Sequence, residues 1–191
     1  MWALHQPQPA VTLWPMLPDA LHTARLVVRP VAADDAGAIF NAYARDPEVT
    51  RYLSWRTHIA IDDTQAHIAR CMANSPDQAR TYVLTDRDDG QVCGSFRLER
   101  PAPHRVESGY VLARPRWGQG LMTEVLTEAA AWVMRQPGVF RFGAGCDVEN
   151  LASARVMEKS GLACEGVRRR WLVFPNLGPE PRDCFSYVLC R

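Results

Sequence analysis

The run Tyr110-Val111-Leu112-Ala113-Arg114-Pro115-Arg116-Trp117-Gly118-Gln119-Gly120-Leu121-Met122-Thr123-Glu124 decides the fold. It opens β-prone, breaks at Pro115 and two glycines, and leads into a stretch where Leu121, Val125, Ala129, Trp132 and Val133 keep helical spacing up to Pro137-Gly138. A strand that ends in a glycine turn and feeds a helix gathers unpaired backbone N–H groups at one point. The first helical turn leaves about four such donors, and the macrodipole adds roughly half a positive charge there. With no side chain at Gly118 or Gly120, anionic oxygens can come close to the backbone. Arg114 or Arg116 can add charge at the rim.

Three phosphate sites and one bland account compete for this turn. A P-loop needs Lys-Ser/Thr after its second glycine, and Leu121-Met122 follows instead. A dinucleotide fingerprint needs a small residue three places on, where Thr123 stands. A coenzyme A pyrophosphate site stays open, as does a plain tight turn before a helix.

Outward from the turn, the element order is legible. On the N-terminal side, Arg25 to Arg29 is a short strand closed by Pro30. Asp34 or Asp35 caps a predicted helix with Ala36, Ile39, Phe40 and Tyr43 inward, ended by Asp46-Pro47. A second helix follows Asp62-Asp63, with Ala66, Ile68, Ala69 and Met72 as core contacts. Strands at 81–85, 91–98 and 106–112 then form an antiparallel meander. On the C-terminal side come a strand at 139–146, a short helix from Asn150 to Ser160 stopped by Gly161, and two strands at 166–174 and 184–189 around a Pro-rich loop. The order β-α-α-β-β-β-α-β-α-β-β puts one parallel pair inside a mostly antiparallel sheet.

Composition narrows the class. With 191 residues, 47% of them hydrophobic and 23% charged, the chain fits one ordinary globular domain. Residues 1–22 read as a Pro-rich N-terminal extension and 23–191 as the domain proper. A formal net charge of +1 argues against a broad nucleic-acid or membrane footprint. The first twenty residues hold no Lys or Arg and are broken by prolines, unlike a signal peptide or membrane span, so a cytoplasmic location is expected. The six cysteines lack Cys-x-x-Cys spacing and read as reduced, mostly buried thiols; the five histidines show no ligand spacing, and no metal is expected.

A second motif, Asn150-Leu-Ala-Ser153-Ala-Arg-Val-Met157-Glu158-Lys159-Ser-Gly161-Leu162, joins the first. Together, over roughly residues 23–191, they resemble the GNAT superfamily of N-acetyltransferases, and most of all its RimJ/RimL-type branch, which includes acetylators of ribosomal-protein N-termini. Arg25-Leu-Val-Val-Arg29-Pro30 and Asp46-Pro47-Glu48-Val49-Thr50-Arg51-Tyr52-Leu53 carry the same likeness. The resemblance implies an α/β (α+β) GNAT-like fold: a mixed, mostly antiparallel sheet with a central splayed parallel strand pair and helices on both faces. It implies acetyl-CoA as the acyl donor, its pantetheine arm held by the backbone of Val111 and Leu112. Amides from Trp117 through Gly118, Gln119, Gly120 and Leu121 to Met122 would hold the pyrophosphate, with Asn150 on the far side. The family often has Arg or Gln three places before the first glycine; here Pro115 stands there and has no N–H to give.

Acetyl transfer needs a neutral amine, a stabilised oxyanion and a protonated leaving thiolate. Glu107, on the strand implied to face the acetyl group, is the candidate base; a solvated carboxylate paired with an arginine is the other account. From a carboxylate near pKa 4.3, deprotonating an α-amine near 7.8 is uphill by about 5 kcal/mol, and a lysine near 10.4 by about 8 kcal/mol. The α-amine of a peptide is therefore the easier acceptor. Many GNAT enzymes use a tyrosine as acid where this chain has Met157, so Ser153 is the expected substitute, against an ordinary first-turn serine. The N–H near Val111 is the expected oxyanion donor. Tyr52, Trp55 and the loop 171–180 are candidates for the acceptor pocket, and Arg168-Arg169-Arg170 for an acidic group or a solvated strand edge. A small-molecule amine acceptor, or a non-catalytic acyl-CoA-binding role, are the alternatives; a monomer or homodimer fits equally.

Overall fold

The structure, a computed structural model, describes residues 17–191. Most of the predicted extension, residues 1–16, lies outside the described residues. The rest of it packs on the domain: Leu17 is buried, and Tyr82 Oη donates to the Pro18 carbonyl at 2.8 Å. Leu21–His22 forms a short strand, β1, that pairs antiparallel with β2 (Leu26–Pro30).

The helical segment that follows departs from the predicted caps. Asp35 sits in a 3-10 turn, where its carboxylate accepts the Ala32 N–H at 2.8 Å and pairs with Arg29 at 2.7 Å. Helix α1 (Ala36–Ile39) continues into a π-helical turn over Phe40–Ala44. Asp46 ends that segment and at once caps another: its carboxylate accepts the Glu48 N–H at 2.9 Å, with Pro47 in the first turn of α2 (Pro47–Thr50). Helix α3 (Ile61–Met72) starts with Asp63 reaching back to the N–H groups of Ile59 and Ala60. Its inward face is Thr64 and Ile68, with His67 and Cys71 half-buried, whereas Ala66, Ala69 and Met72 face outward. The rings of His58 and His67 pack on Trp55 at centroid distances of 4.7 and 5.2 Å, and this stack rotates the helix away from its alanines. Apolar drive scales with area, and two alanines offer little.

Strands β3 (Ala79–Asp86), β4 (Val92–Ala102) and β5 (Arg105–Leu112) make the predicted meander. After it come α4 (Leu121–Met134), β6 (Arg141–Asp147), α5 (Leu151–Lys159), β7 (Ala163–Val173) and β8 (Pro181–Cys190). The sheet order is β1-β2-β3-β4-β5-β6-β8-β7, so the last strand inserts beside β6, and only β5 and β6 run parallel. One face carries Phe96, Leu98, Val106 and Phe142 under Val125, Leu126 and Met157 of α4 and α5. The other carries Val83 under Ile39, Tyr43 and Ile68 of the N-terminal helices. All six cysteines are free; Cys93, Cys146 and Cys184 are buried, but Cys164 and Cys190 are exposed, fewer buried thiols than expected. Among the described residues, no helix is long and apolar enough to cross a membrane.

The parallel pairing is short. It runs from Arg105 opposite Arg141 to Ser108 opposite Ala144, yet β5 continues to Leu112 and β6 to Asp147. Past that point the two strands diverge and leave a wedge-shaped cleft between them.

Candidate active site

Ladder geometry decides which peptide groups face the cleft. Antiparallel partners alternate between pairs that exchange hydrogen bonds and pairs that do not. The Ala113 N–H donates to the Cys93 carbonyl at 2.7 Å, so in the same register Val111 and Gly109 bond toward β4, opposite Ser95 and Arg97. The peptide groups of Tyr110 and Leu112 point the other way, into the cleft. Of the two residues expected to bond the pantetheine, Val111 thus faces β4, whereas Leu112 faces the cleft with its N–H, its carbonyl accepting the Trp117 indole N–H at 2.7 Å. An extended ligand is left the N–H and carbonyl of Tyr110 and the N–H of Leu112, as in strand addition.

At the end of β5 the glycine turn takes the conformation that only glycine adopts cheaply, with φ of 73° at Gly118 and 77° at Gly120. The first α4 bond runs from the Glu124 N–H to the Gly120 carbonyl at 3.1 Å, so the amides of Leu121, Met122 and Thr123 have no intrahelical acceptor. Trp117's amide does not join this group, because it donates to the Arg114 carbonyl at 3.1 Å. The Gln119 carbonyl is turned aside: Arg25 Nη2 donates to it at 2.8 Å while Arg25 Nε donates to Glu124 at 2.6 Å. Gln119 Nε2 closes the turn on the Pro115 carbonyl at 2.9 Å. What remains is a nest of N–H groups from Gly118 to Thr123 at a helix N-terminus. The rim charge expected of Arg114 and Arg116 is already matched, by Asp46 and Glu48 in one case and by Asp86 and Asp89 in the other.

On the far side of the cleft, the turn after β6 is fixed by a buried ion pair. Asp147 is fully buried; Arg182 Nε donates to it at 2.5 Å, and the Glu149 N–H at 2.9 Å. This turn delivers Asn150 as the cap of α5, its Oδ1 accepting the Ser153 N–H at 3.2 Å. The amide nitrogen of Asn150 is thus left to serve a ligand. Ser153 Oγ lies 2.8 Å from Tyr110 Oη. Met157 is fully buried in the α4/α5 core and presents nothing to the cleft. Beside Ser153, burial pushes the Cys146 thiol up to about 12, so it stays protonated.

Glu107 stands on the opposite face of β5 from the Tyr110 ring. It is half-buried, with Arg105 Nε at 3.7 Å, which realises the paired-carboxylate account without removing it from the cleft. Its carboxylate lies across Gly143 of β6: a Cβ there would sit 2.5 Å from Glu107 Oε2. Gly143 and Gly145 leave that stretch of floor without side chains. Glu107 and Ser153 are therefore not brought together; they flank the cleft from opposite faces of the sheet.

Above Glu107's face, two loops meet. Asn176 Nδ2 donates to the carbonyls of Thr50 at 2.7 Å and Trp55 at 2.9 Å, and its Oδ1 accepts the Thr57 N–H at 3.0 Å. Tyr52 packs edge-on against Phe174 at 6.5 Å. The predicted pocket segments thus do adjoin, although Trp55 itself turns into the histidine stack. The arginine run is engaged at its edge: Arg168 lies over the Trp171 ring at 4.8 Å, Arg169 pairs with Asp183 at 2.7 Å and Arg170 with Glu180 at 3.9 Å.

A family model described as an acetyltransferase (GNAT) domain matches residues 25–163. The chain belongs to the GNAT acetyltransferases. YoaA, an uncharacterized N-acetyltransferase of Bacillus subtilis (strain 168), is 29% identical over 174 residues, or 90% of this chain and 97% of the relative. A probable GNAT acetyltransferase from Chromobacterium violaceum superposes with a TM-score of 0.81 at 21% identity, over 100% of this chain and 96% of the other. RimL, the ribosomal L7/L12 alpha-N-protein acetyltransferase solved with coenzyme A, superposes at 0.74 with 18% identity, over 92% and 97%. Acyl transfer is therefore the chemistry this GNAT cleft serves, and the sheet with its single diverging parallel pair is the GNAT fold expected from the two motifs.

Proposed function

We propose that this chain transfers the acetyl group of acetyl-CoA to the α-amine of a peptide or protein N-terminus. The observation that carries the reading is the pairing of a donor cleft with a base on its open side: Glu107 lies across Gly143 where β5 and β6 part, away from Ser153. In this reading the amides of Gly118 to Thr123 receive the pyrophosphate, and Tyr110 and Leu112 bond the pantetheine arm as a strand would. The Tyr110 N–H, free of β4 and nearer to Glu107 along β5, receives the oxyanion, which leaves the Tyr110 carbonyl and the Leu112 N–H to the pantetheine. Glu107 takes the amine proton, directly or through water, and Ser153 donates to the departing thiolate. An α-amine fits a carboxylate base better than lysine does, by about three pKa units. That RimL acts on a protein α-amine adds a precedent on the same fold.

The test mixes protein and acetyl-CoA with a panel of N-terminal peptides, polyamines and aminoglycosides, and follows thiol release. Turnover on peptides and not on lysine side chains is expected. Turnover confined to polyamines or aminoglycosides would transfer the acceptor to small molecules. Binding of CoA without turnover on any amine would make the protein an acyl-CoA binder.

A further inference from the structure

Tyr110 does two things at once. Its peptide group faces the cleft, while its ring passes to the α4/α5 side and ends at Ser153. There Oη lies 2.8 Å from Ser153 Oγ and 3.2 Å from the Ser153 carbonyl oxygen, so its single hydrogen has two acceptors, of which Oγ is the nearer. The two residues belong to opposite arms of the wedge, β5 and the helix that follows β6, beyond the last ladder pair at Ser108 and Ala144. The contact is thus a strut across the closed side of the cleft.

Its chemistry is directional. A serine hydroxyl has one hydrogen and two lone pairs, and its hydrogen goes wherever an acceptor waits. Burial raises the phenol well above its ordinary range, so Tyr110 stays a neutral donor at any working pH. Cys146, the other polar neighbour, directs its own S–H to the Asn150 carbonyl at 3.6 Å. With Tyr110 donating into Oγ, the serine hydrogen has the Cys146 sulfur, a weak acceptor, within reach and can turn outward to a stronger one.

We propose that Tyr110 is a positioning residue which, by donating to Ser153 Oγ, aims the serine hydrogen at the sulfur of CoA. The inference rests on the donor-site reading above. When the amine nitrogen bonds to the acetyl carbon and the C–S bond breaks, the thiolate leaves with the electron pair. An O–H already aimed at sulfur stabilises that charge until a proton arrives. A polarised serine is a better donor than an isolated one, since linked hydrogen bonds strengthen each other.

The test needs no acceptor amine. CoA is bound to the wild type and to Tyr110→Phe, Ser153→Ala and the double variant, and the bound thiol is titrated by thiolate ultraviolet absorbance against the complex with desulfo-CoA. In the wild type the bound thiol is expected to titrate about one pH unit below free CoA measured in the same buffer. Ser153→Ala should abolish the shift, Tyr110→Phe should remove half of it or more, and the double variant should match Ser153→Ala. Where an acceptor is in hand, Tyr110→Phe should lower kcat roughly fivefold with KM for acetyl-CoA unchanged, as expected for one lost hydrogen bond. A Tyr110→Phe protein that binds CoA and titrates like the wild type overturns the role of Tyr110 and leaves the donor site standing. Additive losses in the double variant overturn it equally. If the wild type fails to bind CoA, the donor-site reading falls first and this inference falls with it.

Discussion

Gly143 sets where the Glu107 carboxylate can lie. A methyl group there would come within 2.5 Å of Oε2, and because the obstacle is the far end of a side chain, the carboxylate moves and the strand does not. Gly143→Ala should therefore keep the melting temperature near wild type, keep CoA affinity, and lower kcat about tenfold by displacing the base. Glu107→Gln should do the same. A Gly143→Ala enzyme as fast as wild type would mean that the acceptor amine finds its base elsewhere. Residues on this scale were unevenly legible in the sequence. Glu107 could be named because the family resemblance implies that its strand faces the acetyl group. The side chain of Tyr110 could not, because its partner Ser153 lies 43 residues away and an aromatic on a strand reads as core. Where the Val111 and Trp117 amides point could not be read for a related reason: ladder phase and a 3-10 turn decide it, and composition carries neither.

Elements were read best where their signals are local. The glycine turn, the long helix and the meander announce themselves through Pro, Gly and period, and the structure has them. The inward face of α3 and the place of β8 between β6 and β7 depend on partners distant in sequence, and period alone does not supply them. Two changes probe the turn as a unit. Gly120→Ala puts a Cβ on a residue with φ 77°, a strain of about 1 kcal/mol, while its new methyl would only touch Arg25 at 3.7 Å. The fold should survive, and calorimetry should show CoA binding weakened about tenfold. Arg25→Ala frees the Gln119 carbonyl to face the pyrophosphate; the exposed ion pair with Glu124 contributes little stability, so affinity should fall several-fold with an almost unchanged melting temperature. A large stability loss with intact CoA binding would assign Arg25 to the fold and not to the turn.

At the scale of the molecule, the two faces of the sheet should respond differently to acid. Tyr110, Ser153 and α4 make one face, whose contacts involve no histidine among the described residues. The other face rests on the Trp55, His58 and His67 stack, and Asn176 ties that loop to the one after β7. Burial, with His58, Arg70 and Arg97 adding to it, holds His67 down to about 4, and burial lowers His58 too, against the pull of Asp63. An unfolded histidine titrates near 6.5. Between those values the unfolded chain binds a proton that the folded one refuses, so stability is full above about pH 6.5 and declines as pH falls toward about 4. A shift of this size is worth about 3 kcal/mol for a ring sealed from water, and about half that for one partly exposed. Melting temperatures of the wild type should thus fall across this window, whereas His67→Phe, which keeps a ring in the stack, should give a flatter profile. Amine turnover should fail at a higher pH than CoA binding does, because the stack supports the acceptor wall and not the donor nest. Parallel melting profiles for wild type and His67→Phe would remove the histidine stack as the origin of acid sensitivity, and simultaneous loss of binding and turnover would show that the two faces open as one.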